Sequence, residues 1–126
     1  MVFPTYSRQL SDPVPNGTQL LRSHRVVLCE GNYLLAFDDP TFAPLREVWE
    51  DGLKWYVDAD EPVLLKRLVD RHLETWTDEK AKMWGEGREG AQAKAEANDV
   101  KNARWIAETS RKYADLVIES VQEEDL

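Results

Sequence analysis

The sequence predicts an α/β fold built on a parallel sheet, and three observations point there. Short apolar runs alternate with longer segments of helical spacing along the 126 residues, the pattern of parallel strands joined by helical crossovers. The run Arg25-Val26-Val27-Leu28-Cys29 is unalternated, as in a strand covered on both faces. Breakers fall where elements should stop or start: Gly31, Gly52 and Pro62.

Taken in order, residues 1–17 carry Pro4, Pro13 and Pro15. They read as an extended, irregular lead-in, because proline lacks the amide hydrogen a helix needs. Residues 18–23 suit a short helical turn. The run 25–29 is the first predicted strand, closed by Glu30-Gly31-Asn32. Phe42, Leu45, Val48 and Trp49 follow helical spacing and predict a short helix over 40–50. Trp55-Tyr56-Val57 is the second strand. Asp60-Glu61-Pro62 starts a helix over about 61–75, with an acidic cap and proline in the first turn. Its inner stripe is Leu64, Leu65, Leu68, Val69, His72 and Leu73. Residues 77–90 are charged and hold Gly85, Gly87 and Gly90, which predicts a mobile, lid-like stretch. Residues 91–111 read as a further helix, and Ala114 to Ile118 as the third strand. Residues 120–126 form a flexible acidic tail. Three strands make a thin sheet with open edges, which natural sheets usually protect; further sheet is therefore expected before Met1.

Composition narrows the function. Sixteen basic against 24 acidic residues give a net charge of −8, which argues against nucleic acid and anionic membranes as partners. No apolar run approaches the ~20 residues of a membrane span, and without a basic segment followed by an apolar one at its start no secretory signal is expected. A single cysteine, Cys29, excludes an internal disulfide. A reducing, cytoplasmic setting is expected.

Chemistry is most legible at Glu30. An acid at the carboxyl end of a buried parallel strand stands where α/β sheets take ligands. The neighbouring Gly31 lets backbone approach a ligand, and the carboxylate can hold Mg²⁺. A solvated acid in a turn is the plain alternative.

The stretch Val26-Val27-Leu28-Cys29-Glu30-Gly31-Asn32-Tyr33-Leu34-Leu35 resembles the corresponding strand-end segment of P-loop kinases of the phosphoribulokinase/uridine kinase family, with nucleoside-kinase-like members nearest and pantothenate kinase more distant. Other segments agree in order. Pro4 to Arg8 with Asp12-Pro13 is similar to the substrate loop before that strand. Trp55 to Asp58 with Glu61-Pro62 looks like the next strand and turn. Lys66 to His72 resembles the arginine-rich helix leading into the lid, and Asn98 to Arg104 the helix after it. Ala114 to Ile118 matches the closing strand. The resemblance spans residues 3–119.

That resemblance implies a partial P-loop NTPase: a parallel sheet flanked by helices, three strands present, the N-terminal P-loop strand missing. No G-x-x-x-x-G-K-[ST] occurs in the chain, although such a loop is what cradles the β- and γ-phosphates. The chain then reads as a single truncated domain over 1–126, the C-terminal part of a kinase, with the lid over 72–97. By carry-over, Glu30 helps hold Mg²⁺ on ATP. Arg67 and Arg71, one helical turn apart, brace transferring phosphate oxygens as catalytic groups, since guanidinium forks match phosphate. Tyr6, Arg8, Asn98 and Asn102 contact the phosphate acceptor, a small molecule, and Arg88 is a further lid arginine. Without the resemblance, the arginines read as a solvated basic face and Asn98 as a helix cap.

The implied reaction is γ-phosphoryl transfer from ATP to a hydroxyl of a nucleoside, sugar or pantothenate-like acceptor. With P-loop and catalytic base absent, neither turnover nor ATP and Mg²⁺ binding is expected of this chain alone. The contrasting reading is a degenerate kinase-like binding protein that self-associates through its sheet edges. Cys29 reads as a buried small hydrophobe. Neither His24 nor His72 has a catalytic signature around it. Core packing explains most of the five tryptophans, Trp49, Trp55, Trp76, Trp84 and Trp105; the alternative for Trp76 and Trp84, near the lid, is that they are exposed or cover a ligand.

Overall fold

The computed structural model describes residues 1–7 and 12–121, with only the backbone of Tyr6 and Ser7. It divides into two compact units, Met1–Glu30 and Gly31–Leu126.

The first unit is an antiparallel hairpin of β1 (Val2–Ser7) and β2 (Asp12–Gln19). The expected irregular lead-in is thus ordered strand. Prolines are tolerated because the pair is exposed and interrupted: the register shifts between Phe3 and Thr5, so Pro4 sits at a bulge. Opposite it, Asn16 adopts a φ of 61°, a left-handed conformation asparagine tolerates. A side chain at Gly17 would come within 2.1 Å of the Thr5 hydroxyl, so only glycine fits there. The predicted turn over 18–23 is confined to residues 22–23.

The run 25–29 is not a strand. Val26 and Leu28 are 78% and 85% exposed, and Cys29 is exposed rather than buried. A strand of this composition is stabilised by neighbours that pair its backbone and cover both faces. Among the described residues none pairs with it.

The second unit is α/β, with a small parallel sheet of β3 (Trp55–Asp58) and β4 (Leu116–Glu119) in the register Trp55↔Leu116 to Asp58↔Glu119. Asp115 and Leu116 both donate their N–H groups to the Lys54 carbonyl, which aligns the strand starts. The Asp115 carboxylate accepts the Lys54 N–H at 2.8 Å and the ammonium at 3.1 Å, and these bonds lower its pKa. Between the strands run α2 (Glu61–Leu73), α3 (Asp78–Trp84), α4 (Gly87–Lys94) and α5 (Val100–Ser110). The helix expected over 40–50 shrinks to one turn, α1 (Leu45–Val48), at the end of a string of turns.

The stretch expected to be mobile, 77–90, is instead helical. Thr77 caps α3 by accepting the Lys80 N–H, and Gly85 ends it at a φ of 105°. Asp60 occupies the cap position of α2, but its side chain makes no cap bond. The core joins Leu68 and Val69 of α2 to Ala91, Ala95 and Val100, with Leu64, Leu65, Leu73 and Trp76 around them. The step from Ala91 to Ala95 is one α-turn, but Val100 lies five residues further on. A π turn over Ala95–Asp99 absorbs the extra residue, the Val100 N–H bonding the Ala95 carbonyl. All three side chains thereby keep facing α2.

Candidate functional site

Among the residues expected in the site, the arginines stand on or beside α2. The Arg67 guanidinium donates to the Ser120 hydroxyl at 2.8 Å and to the Val121 carbonyl at 2.9 Å. Arg67 therefore ties α2 to the carboxyl end of β4, the edge where parallel α/β sheets take ligands. Arg71, one turn on, is exposed and has no hydrogen-bond or ion-pair partner among the described residues. Arg88, near the start of α4, pairs with Asp70 at 2.9 Å. That contact brings α4 against the turn of α2 that carries Arg71. The pair is about half exposed on both sides, so solvent screens it. A polyanion can compete with Asp70 for Arg88.

The asparagines lie on the helical stretch beyond. The Asn102 side-chain oxygen accepts from the Tyr33 hydroxyl at 3.2 Å. Tyr33 stacks on Phe42 at 5.0 Å and meets Trp105 edge-on at 5.8 Å. Asn98 lies inside the π turn, and its amide donates to the Lys94 carbonyl at 3.5 Å. It caps nothing, because the helical backbone continues through it.

Charge is arranged differently at the start of α2. Arg104 of α5 grips Glu61 with two bonds of 2.9 and 2.5 Å. The bonds lower the Glu61 pKa and raise that of Arg104. Asp58, ending β3, pairs with Arg111 at 2.9 Å. Asp38 is held by Lys112 and the Tyr113 hydroxyl; these bonds, Lys112 first, lower its pKa, and in return raise those of Lys112 and Tyr113. These acids are occupied within the unit.

Glu30 is exposed at the end of the first unit. Among the described residues no three His, Cys, Asp or Glu side chains converge to hold a metal. Mg²⁺ sites commonly take one or two carboxylates plus waters and substrate phosphates. Glu30 fits one such ligand, and the described residues complete no Mg²⁺–ATP site. Arg8 and the side chain of Tyr6 lie outside the described residues, as does the acidic tail from 122 onward.

Sequence reasoning missed the surroundings of His72. Its ring meets Asp99 and Lys94 in the seam between α2 and the π turn. The helical stripe on α2 placed His72 inward; the five-residue step before Val100 was the signal that would have placed Asp99. Trp76 and Trp84 are half-buried. Trp76 packs on the core, its indole N–H buried without a partner.

Comparison with known proteins adds a direction. Over 107 residues the chain is 29% identical to ATP-dependent kinase YFH7 of Zygosaccharomyces rouxii, covering 82% of this chain and 26% of that protein. It is also 29% identical over 118 residues to ATP-dependent kinase YFH7 of Vanderwaltozyma polyspora, covering 91% of this chain and 31% of that protein. The ATP-dependent kinase-like protein notR' of Aspergillus versicolor is 30% identical over 70 residues, 56% of this chain and 39% of that protein. The chain is thus similar to kinase-like proteins and spans between 26% and 39% of their length. No family model matches it, and no solved structure matches it. No helix among the described residues is long and apolar enough to cross a membrane.

Proposed function

We propose that the chain carries the lid and acceptor side of a cytoplasmic, ATP-dependent small-molecule kinase of the phosphoribulokinase/uridine kinase type. The reaction is γ-phosphoryl transfer to a hydroxyl of a nucleoside, sugar or pantothenate-like acceptor. The observation that carries this reading is the similarity to ATP-dependent kinases along 82% and 91% of the chain. The placement of Arg67 at the carboxyl end of the sheet supports it.

Each residue has a part. Arg67, anchored at the end of β4, and Arg71, unpaired on the next turn, brace phosphate oxygens. Arg88 leaves Asp70 to join them when a polyphosphate arrives. Asn102, oriented by Tyr33, and Asn98 contact the acceptor, and the family resemblance gives Tyr6 and Arg8 the same task. Glu30 supplies one carboxylate to Mg²⁺. ATP and Mg²⁺ bring the transferable phosphoryl group and its charge neutralisation. The phosphate-cradling loop and the base belong to sequence outside these 126 residues, so this chain alone should not turn over.

The missing G-x-x-x-x-G-K-[ST] motif favours one other reading, a kinase-like binding protein that self-associates through the open edges of the β3–β4 pair. Transfer of label from γ-labelled ATP to a panel of small hydroxyl compounds separates these readings when run on the native protein carrying this sequence. The kinase reading expects transfer that falls by 10²-fold or more in Arg71→Ala, the scale of losing an electrostatic contact to the transition state. Absence of transfer, together with a defined dimer by size-exclusion chromatography, would replace it with the binding reading.

A further inference from the structure

The His72 side chain is 13% exposed, in the seam between α2 and the end of α4. Two charged side chains meet its ring. The Asp99 carboxylate, from the π turn, stands 2.6 Å from Nε2, and the Lys94 ammonium, from α4, stands 3.3 Å from Nδ1. The remaining helix on α2, α5, meets it through Val100 on the core and through Arg104 and Glu61 at the far end. Arg71 on α2 and Glu74 just past its end, both near His72 in sequence, are exposed.

The hydrogen-bond inventory decides the state of the ring. An ammonium only donates and an ionised carboxylate only accepts. Nδ1, facing Lys94, must offer its lone pair; Nε2, facing Asp99, must carry the hydrogen. Only the neutral Nε2–H imidazole satisfies both neighbours. A further proton has one place to go, Nδ1, and there it sets a donor against the Lys94 ammonium while strengthening the bond to Asp99.

We propose that His72 is a proton-operated latch between α2 and α4. The neutral ring holds Asp99 and Lys94 together; a proton taken from solvent onto Nδ1 expels Lys94 and keeps Asp99. Acid therefore detaches the Lys94 side chain of α4, the helix that also carries Arg88, from α2, and leaves the π turn attached. The latch does not depend on the kinase reading.

The test is a pH series on the full ¹⁵N-labelled chain, recording imidazole nitrogens by long-range ¹H–¹⁵N correlation and amide exchange residue by residue. The expected result is an Nε2–H tautomer at the alkaline end. As the ring protonates, amide exchange at Lys94 should rise roughly tenfold beyond its intrinsic pH dependence, the scale of one lost bond to a charged group, while Asp99 and Val100 stay protected. Lys94→Met should abolish that acid-linked step. If Lys94→Met does not fold, Asp99→Asn replaces it: its side-chain oxygen still accepts from Nε2–H, so the acid-linked rise at Lys94 should persist. An Nδ1–H tautomer would overturn the proposal. So would unchanged exchange at Lys94 through the ring's titration, or the same acid response in Lys94→Met.

Discussion

Gly90 is where the helical arm has least room. It is buried in α4, and a β-carbon there would lie 1.9 Å from the Gly85 carbonyl oxygen, 2.5 Å from its carbon and 3.0 Å from the Trp76 ring. A close carbon–oxygen contact is about 3.3 Å, so Gly90→Ala must open the α3–α4 turn by about 1.4 Å. The obstacle is backbone, not the tip of a flexible side chain. Gly85 cannot simply be re-aimed, since its φ of 105° already ends α3. Overpacking of this kind costs roughly 1–3 kcal/mol, and a backbone clash belongs at the upper end. Alanine's better helix propensity returns about 1 kcal/mol. The expected net loss is about 2 kcal/mol, read as a lower urea midpoint by circular dichroism at unchanged slope. Trp76 fluorescence should change as its ring is displaced. Gly52→Ala is the control: its β-carbon meets the Trp49 carbonyl at an ordinary 3.6 Å, so it should be neutral or slightly stabilising. A Gly90→Ala chain as stable as the parent would refute the packing of α4 against the end of α3.

Three further outcomes are expected. Ser110 is 2% exposed with an unpartnered hydroxyl, so Ser110→Ala should raise stability by about 1 kcal/mol in the same urea assay. Asp38, Glu61 and Asp115 have pKa values lowered in the fold from 3.8, 4.5 and 3.8; the unfolded chain binds their protons first, so their stabilisation is present above those values and lost as pH falls through the lowered ones. Tyr113 is raised above 10.0 and Lys112 above 10.5; their contribution is full below those values and lost as pH rises beyond them, so these five groups together should leave the urea midpoint unchanged from about pH 5 to 9 and lower it on both sides. Asp115→Asn, which removes the charge from the bonds to Lys54, should lower the midpoint at neutral pH and flatten its fall in acid.

The elements legible in the sequence were those whose signal is local. Pro62 and the Leu64–Leu73 stripe gave α2 within two residues of its end, and the runs at 55–57 and 114–118 gave the parallel pair. The run 25–29 misled because its composition specifies a strand only when neighbours pair it, and periodicity does not say whether they exist. The hairpin was hidden by its prolines, whose tolerance rests on a bulge that composition does not reveal. The stretch 77–90 looked mobile because its glycines were read as slack. Gly90 is instead required by close packing, and Gly85 by a left-handed helix end. In the candidate site, helical spacing placed Arg67 and Arg71 on one face, but only the family resemblance gave them a role. The partners of Arg67 and Arg88 were not, because Ser120, Val121 and Asp70 reach them only through tertiary contact.

The most direct test of the account is phosphotransfer from γ-labelled ATP by the native protein that carries this sequence, captured with an antibody to α5 and sized by intact mass. The account predicts transfer in a species larger than 14.5 kDa, whose additional sequence holds the phosphate-cradling loop. Transfer by a 14.5 kDa species, or none by any species captured, would contradict it.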